Sequence, residues 1–333
     1  MSHTASTRVM SPEEIAAQQM QEAPQFRLAA LGDVFREREL RLRQLAAGHA
    51  MRDYLLFMAD VCAAQHRILQ IDRPELVLPT QEALAEAARQ GVAPLSPERH
   101  ARHACWHEDL SALLAELAPK AAAGAAPVIA ALQAASSTDL DRQADRLLHG
   151  VMLGLDLGQA PLIGAALQVY WTRLVARTQH AFPDLAFGRV DEAKLCPCCA
   201  SLPVASMLRI GGAQAGSRYL HCGLCQTQWH MLRIQCAHCG SGRSMAYHEL
   251  EPGDAPVATA QPPQGAVRTE TCDDCHHYLK IMAMDKDAYV DPVADDLASV
   301  SLDLLTAEAG FDRHGVNVLL LFGSAEESAS EAL

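Results

Sequence analysis

Four C-x-x-C pairs crowd into the stretch from 196 to 275: Cys196 with Cys199, Cys222 with Cys225, Cys236 with Cys239, and Cys272 with Cys275. Two cysteines three positions apart sit on a tight turn whose backbone N–H groups can face the sulfurs. One such turn offers two ligands to an ion, and a second turn completes a tetrahedron. Eight thiolates are enough for two four-cysteine sites. The intervals from Cys199 to Cys222 and from Cys239 to Cys272 exceed the usual zinc-ribbon spacing of roughly 15 to 20 residues. They leave room for an antiparallel ribbon between turns, so the expected pairing is sequential, first with second and third with fourth. The surrounding text repeats as well: CPCCASLPVASML and SRYLHCGLCQTQWH are echoed by CAHCGSGRSMAYHEL and VRTETCDDCHHYLK. Four thiolates in a tetrahedron suit zinc(II), and they also suit iron in a rubredoxin-like centre. A rubredoxin-like turn usually carries Gly after its second cysteine; only Gly240 does so here, with Ala200, Gln226 and His276 in the other three turns.

Neighbouring residues compete as ligands. Cys198, inside the first turn, reads as a bystander thiol, and His221, His230, His238, His276 and His277 read as hydrogen-bonding neighbours of the sulfurs or as surface residues. Trp229 and Tyr278 follow the second cysteine of a pair closely enough to cover a site. Of the 11 cysteines, only Cys62 and Cys105 precede position 196; both read as small buried hydrophobes on helices. The odd total, with no export signal at the amino terminus, argues against a disulfide framework and for a reduced, cytoplasmic setting.

Ahead of the cysteines, helical periodicity dominates, and the expected fold class is α+β: an N-terminal all-helical bundle, a tandem rubredoxin-like or zinc-ribbon module, and a C-terminal helix. Residues 1–24 are a polar segment with a short helix opened by Ser11, Pro12 and Glu14. Residues 25–185 form the helical domain. Leu31, Val34, Phe35, Leu42 and Leu45, then Tyr54, Phe57, Met58, Val61 and Ile68, trace one long helix or a helical pair. Further helices open at Thr80, at Ser96-Pro97-Glu98 and near Thr138, and the last uses Leu162, Ala165, Ala166, Val169, Tyr170 and Leu174. The Arg-rich stretch from Arg36 to Arg43 reads as a solvated helix face. The metal module takes 190–290. Residues 291–322 regain helical spacing over Ala294 to Ala309 and add an apolar run, Val316 to Phe322, that reads as a short strand. Residues 323–333 form a polar tail expected to be disordered.

The formal net charge of −13 disfavours a polyanionic partner, and each divalent ion held by four thiolates adds a net −2. The most apolar segment, Val151 to Trp171, is broken by Asp156, Gln159, Pro161 and Gln168, so it reads as a core helix with no membrane insertion. No Ser/His/Asp arrangement, Walker loop or dinucleotide-binding G-x-G-x-x-G stands in a usable context, and the chain reads as a non-enzyme.

Taken together, Cys196-Pro197-Cys198-Cys199 with Pro203, Arg218-Tyr219-Leu220 ahead of Cys222, Cys225 and Trp229, the Cys236 and Cys239 pair, Cys272-Asp273-Asp274-Cys275 leading to Tyr278-Leu279-Lys280, and the run from Pro292 to Ser299 resemble the FdhE family of formate dehydrogenase accessory proteins. These motifs cover about 196 to 305. The resemblance implies a cytoplasmic maturation factor that binds the catalytic subunit of a respiratory formate dehydrogenase before its export, with two iron or zinc ions per chain carried by the eight paired cysteines and a homodimer left open. Ala200 stands where the family's turn often has Gly, which strains the first turn without abolishing it. Two other classes stay in play: a zinc-ribbon nucleic-acid-binding protein, disfavoured by the acidic excess from Asp191 to Val290, and a rubredoxin-like electron carrier.

Overall fold

The computed structural model describes residues 24–321 apart from 186, 189, 192, 212–215 and 251–262; the Ser11 helix and the tail expected at 323–333 lie outside the described residues. The front half is helical: α1 (Val34–Leu45), α2 (Arg52–Leu69), α3 (Gln81–Arg89), α4 (Cys105–Leu117), α5 (Ala126–Ala134), α6 (Ser137–Leu148) and α7 (Ala160–Ala181). The stripe from Leu31 to Ile68 is thus a pair of helices, broken at Gly48, whose φ of 74° is open to glycine at little cost. Thr80 and Ser136 cap α3 and α6 by accepting from Ala83 N and Asp139 N. Ser96 does not open a helix. That segment runs irregularly across the back half, Leu95 N donating to the Cys198 carbonyl at 2.9 Å and Trp171 Nε1 to the Leu95 carbonyl at 3.0 Å, and α4 starts only at Cys105. Cys62 and Cys105 are buried on α2 and α4, where burial pushes the Cys62 thiol up to about 12.

Helix α7 is buried over most of its length, which explains its apolar text; Thr172 and Thr178 turn inward with hydroxyls that have no hydrogen-bond partner among the described residues, while the longer polar side chains are tied into the core. Arg173 pairs with Asp109 at 2.6 Å and donates to the Ile68 carbonyl. Gln168 accepts from Gln65 at 2.8 Å and donates to the Gly223 carbonyl at 2.8 Å. No described helix is long and apolar enough to cross a membrane.

Among the described residues the back half is one sheet built from two ribbons. Strands β2 (Pro203–Leu208), β3 (Arg218–Cys222) and β4 (Gln228–Met231) form the first ribbon, and β5 (Met245–His248), β6 (Val267–Cys272) and β7 (His277–Ala283) the second. A two-residue strand from the front of the chain, β1 (Phe26–Arg27), pairs with β4. The ribbons are joined edge to edge by the parallel pairing of β2 with β7, Ser206 opposite Ile281. Each of these two strands starts just after a C-x-x-C turn of its own ribbon, so their parallel course puts both groups of cysteines at the same end of the sheet.

Helices α8 (Ala294–Leu297) and α9 (Val300–Glu308) then fasten the sheet to the bundle. Here the Arg-rich stretch departs from its expected solvated role: Arg38 and Arg41 are buried, while Arg36 and Arg43 are exposed. Arg38 pairs with Asp291 at 2.9 Å, and Arg41 with Asp295 at 2.6 Å and Asp287 at 2.8 Å. The next carboxylate faces the sheet: Asp296 accepts from Lys280 at 3.1 Å, Arg313 at 2.8 Å and Asn317 at 2.8 Å. Burial raises both of these aspartates; it wins at Asp295, pushed up to about 6 against the pull of Arg41, but at Asp296 the Arg313 and Lys280 charges hold the carboxyl below its ordinary range. The run expected as a strand at Val316 to Phe322 is irregular through Leu321. Asn317 Oδ1 accepts from Leu319 N at 3.1 Å, a side-chain turn that competes with strand geometry, and the short strand of this region is instead β8 (Asp312–Arg313), paired with β7.

Candidate metal centres

The structure brings the four turns together two by two. Cys196, Cys199, Cys222 and Cys225 form one group, and Cys236, Cys239, Cys272 and Cys275 the other, the sulfurs of each lying within 4.8 Å of one another. In the first group Cys196 Sγ is 3.4 Å from Cys225 Sγ, and Cys199 Sγ 3.4 Å from Cys222 Sγ; in the second, Cys236 to Cys275 and Cys239 to Cys272 are both 3.7 Å. A disulfide needs ~2.05 Å. Sulfurs at the corners of a tetrahedron around an ion with bonds of ~2.3 Å stand ~3.8 Å apart, so both groups fit a four-coordinate ion.

The turns explain how that geometry arises. In the first, third and fourth, the residue after the second cysteine donates its N–H to the carbonyl of the first: Ala200 to Cys196 at 2.9 Å, Gly240 to Cys236 at 3.0 Å and His276 to Cys272 at 2.9 Å. This closure needs a left-handed residue. All four positions adopt it, with φ of 61° at Ala200, 63° at Gln226, 53° at His276 and 80° at Gly240. The chain returns at once, Cys196 N donating to Ser201 O, Cys222 N to Thr227 O and Cys236 N to Ser241 O. N–H groups inside the turns face sulfur: Leu224 and Cys225 donate to Cys222 Sγ at 3.3 Å, and His238 donates to Cys236 Sγ at 3.3 Å. Such bonds offset charge on a thiolate.

Gln226 shows why a turn can forgo glycine. Its buried Oε1 accepts from Arg38 Nη2 at 2.8 Å and lies 3.1 Å from His221 Nε2, while its Nε2 donates to Leu224 O at 3.0 Å. The side chain ties the turn to α1 and offsets the left-handed strain. Ala200 has no such compensation, and left-handed backbone costs a residue with a Cβ roughly 1–2 kcal/mol. Ala200→Gly is therefore expected to stabilise the protein by about 0.5–1 kcal/mol once the larger unfolded-state entropy of glycine is counted, whereas Gln226→Gly is expected to destabilise it. Urea midpoints of the metal-loaded variants check both signs.

The two groups differ in exposure. All four cysteines of the first are buried, whereas in the second Cys239 is exposed and Cys275 half-buried. Helix α7 and the Leu95 loop close over the first. There, burial pushes the Cys196 and Cys222 thiols well above the ordinary range, while burial at Cys225 is outweighed by hydrogen bonds from the neighbouring thiols, which hold it well below, so a single thiolate is tolerated but four together require a cation among them. Serine hydroxyls stitch the second together, Ser241 and Ser244 both donating to Asp274. Cys198 lies outside the four-sulfur group, with Thr227 Oγ1 3.5 Å from its sulfur. Trp229 Nε1 donates to Ala193 O and Tyr278 Oη to Asp303 Oδ1, so both rings brace the walls of the sheet. Burial, reinforced by the Arg38 charge, depresses His221 to about 4 and keeps it neutral. His276 is exposed, and His230 packs edge-on against Tyr219. His238 and His277 stack on each other, and His314, which the cysteine spacing gave no reason to single out, packs against them.

Comparison with known proteins agrees along most of the chain. Three family models match in order: FdhE, N-terminal, at residues 23–183; FdhE, central domain, at 195–233; and FdhE, C-terminal domain, at 234–320. The Protein FdhE of Salmonella dublin is 36% identical over 325 residues, covering 96% of this chain and 100% of that protein. The Protein FdhE homolog of Edwardsiella ictaluri is 38% identical over 297 residues, 89% of this chain and 91% of that one. The crystal structure of the FdhE protein from Pseudomonas aeruginosa superposes with a TM-score of 0.77 at 36% identity, covering 90% of this chain and all of that one. Three consecutive family models, full-length relatives and a solved fold thus converge, and the chain belongs to the FdhE family.

Proposed function

We propose that this chain is a cytoplasmic maturation factor that binds the catalytic subunit of a respiratory formate dehydrogenase before export, and that it is not itself an enzyme. The observation that carries this reading is the pair of four-sulfur groups, each with tetrahedral spacing, at one end of a sheet clamped to a helical bundle. Cys196, Cys199, Cys222 and Cys225 would hold one iron or zinc ion, and Cys236, Cys239, Cys272 and Cys275 the other. Zinc would fix the sheet; iron would add a one-electron couple at each centre. The chain's own part is to fold the turns, aim N–H groups at sulfur and shield the first centre from water. In this reading residues 25–185 are the docking body, 190–290 the metal module and 291–322 the clasp between them.

The test is affinity capture with the tagged full-length chain from cells growing on formate. Co-purification of the formate dehydrogenase catalytic subunit in its unexported form is the expected result, and its absence from the captured material would overturn the reading. Capture of nucleic acid in a salt-sensitive manner, without that subunit, would favour the zinc-ribbon alternative instead.

A further inference from the structure

The second centre has a histidine cluster at its flank that the four-cysteine arrangement does not use. His238 and His277 stack with ring centroids 3.6 Å apart and an angle of 7°, and His314 meets His238 edge-on at 5.1 Å. Stacking two imidazoles leaves their nitrogens side by side, and a donor atom from each lies within 4.8 Å of the other and of Cys275 Sγ. Their hydrogen bonding leaves lone pairs over. His277 Nδ1 is satisfied by the Cys275 carbonyl at 2.7 Å, which leaves Nε2 as the basic nitrogen. The buried Nδ1 of His238 and the buried Nε2 of His314 have no hydrogen-bond partner among the described residues, and His314 is only 8% exposed. All three rings line one cavity of about 10 Å³, close to the least that admits a single water-sized particle.

An orphaned buried nitrogen on His238, grouped with His277 and the Cys275 sulfur within 4.8 Å, belongs to the donor set of a borderline divalent ion, because imidazole and thiolate together favour zinc, cobalt(II), nickel(II) or iron(II) over magnesium or calcium. We propose that His238, His277 and Cys275 form an auxiliary site for one such ion, with Cys275 bridging it to the second four-cysteine centre and His314 walling the cavity. The proposal rests on the reading that the four-cysteine groups hold metal, since the bridging sulfur is already a thiolate there and gives its second lone pair to the added ion. A fan-like opening of the two stacked rings brings their nitrogens into bonding range. Three protein donors leave a fourth position for an outside ligand, so this is where the chain can take up or hand over an ion. The first centre, whose four cysteines are buried, has no such histidine group beside it among the described residues.

The experiment is a cobalt(II) titration of the full-length, metal-free reduced chain under argon, following the thiolate-to-cobalt absorption and bound cobalt together. Two tight equivalents followed by a third, at least tenfold weaker, which shifts the thiolate band as it binds, is the expected result. The double variant His238→Ala/His277→Gln should keep the first two equivalents and lose the third, and those two retained equivalents certify that it is folded. Saturation at two in the natural chain overturns the auxiliary site and leaves the four-cysteine reading standing. Fewer than two overturns both. A third equivalent that survives in the double variant, or leaves the thiolate band unmoved, is an adventitious surface ion only and also overturns the proposal.

Discussion

Removing metal from the reduced protein with a strong chelator is expected to unfold the sheet and leave the helical bundle largely helical. Structural four-ligand sites contribute about 10–16 kcal/mol of apparent binding energy in small zinc modules, comparable with or above the 5–15 kcal/mol by which a whole domain is stable. The sheet depends on the ions because its first ribbon begins at one C-x-x-C turn and reverses at another, so losing the ion frees the open end of the β2–β3 hairpin, where Pro203 lies opposite Cys222, together with the reversal into β4. The bundle packs α2, α4 and α7 on one another around Trp106, Trp171 and Tyr170, all fully buried, in the helical part of a core that continues into the sheet. Exposure sets the order of severity between the centres. Cys222→Ser, in the sealed centre, should abolish soluble full-length protein or cut its stability severely, whereas Cys239→Ser, whose side chain is exposed, should lose one metal equivalent and keep the fold. Far-UV circular dichroism and limited proteolysis with and without chelator read the first effect, and metal content with urea midpoints reads the second. A sheet that keeps its protease resistance after complete metal loss would overturn the structural role assigned to the centres.

The second large effect concerns the clasp between α1 and α8. Arg41→Met is expected to cost about 3–5 kcal/mol, the usual consequence of removing one partner of a buried pair, because Asp295 is fully buried and keeps only backbone partners such as the Asp291 N–H at 2.8 Å. Arg41→Met with Asp295→Leu should recover part of the loss, since it removes the fully buried carboxylate and leaves only the partly exposed Asp287 without its Arg41 partner. The pH dependence carries its own sign. Asp295 is held up to about 6 by burial even with Arg41 present, against about 3.9 in an unfolded chain. Between those values the folded state keeps a proton that the unfolded state has lost, so this group's contribution falls as pH rises and levels off above about 6. Without Arg41 the folded pKa rises further, and Arg41→Met should go on losing stability between pH 6 and 8, by up to about 1.4 kcal/mol per pH unit. A single variant whose urea midpoint tracks the natural protein across that range would refute the buried-pair account.

What the sequence made legible was the local chemistry. Cysteines three apart can serve one ion whatever surrounds them, and a stripe such as Tyr54, Met58, Val61 and Ile68 announces a helix from its own spacing. A hydroxyl at Thr80 announces where a helix starts because the cap bond spans three residues. Most of the misses involve partners distant in the chain. Ser96-Pro97-Glu98 has the letters of a helix start, but Leu95 is committed to Cys198 and Trp171, contacts that no local pattern encodes. Arg38 and Arg41 looked solvated because their carboxylates lie some 250 positions away. The α5 helix, Ala126–Ala134, went unread because its alanine-rich text has little contrast between faces. His314 joins His238 and His277 only because β8 lays the chain's end against β7. The residue after each second cysteine lies between these cases: the expected glycine is absent at three of four turns, yet all four keep the left-handed backbone, so the geometry outlived the residue that makes it easy.

The parallel seam between β2 and β7 bears on how this chain can be divided. An uncovered strand edge is a template for aggregation, and each ribbon hides one such edge only by lying against the other. Cutting between Arg233 and Ile234, where one repeat gives way to the next, would bare one side of β2 and the Ile281–Ala283 part of β7, leaving only His277 and Tyr278 covered by β8. Neither repeat should then behave as an independent module. The duplication visible in the text has become a single folding unit, in which a half-length product is an aggregation hazard and the smallest useful fragment carries both repeats and the clasp that follows them.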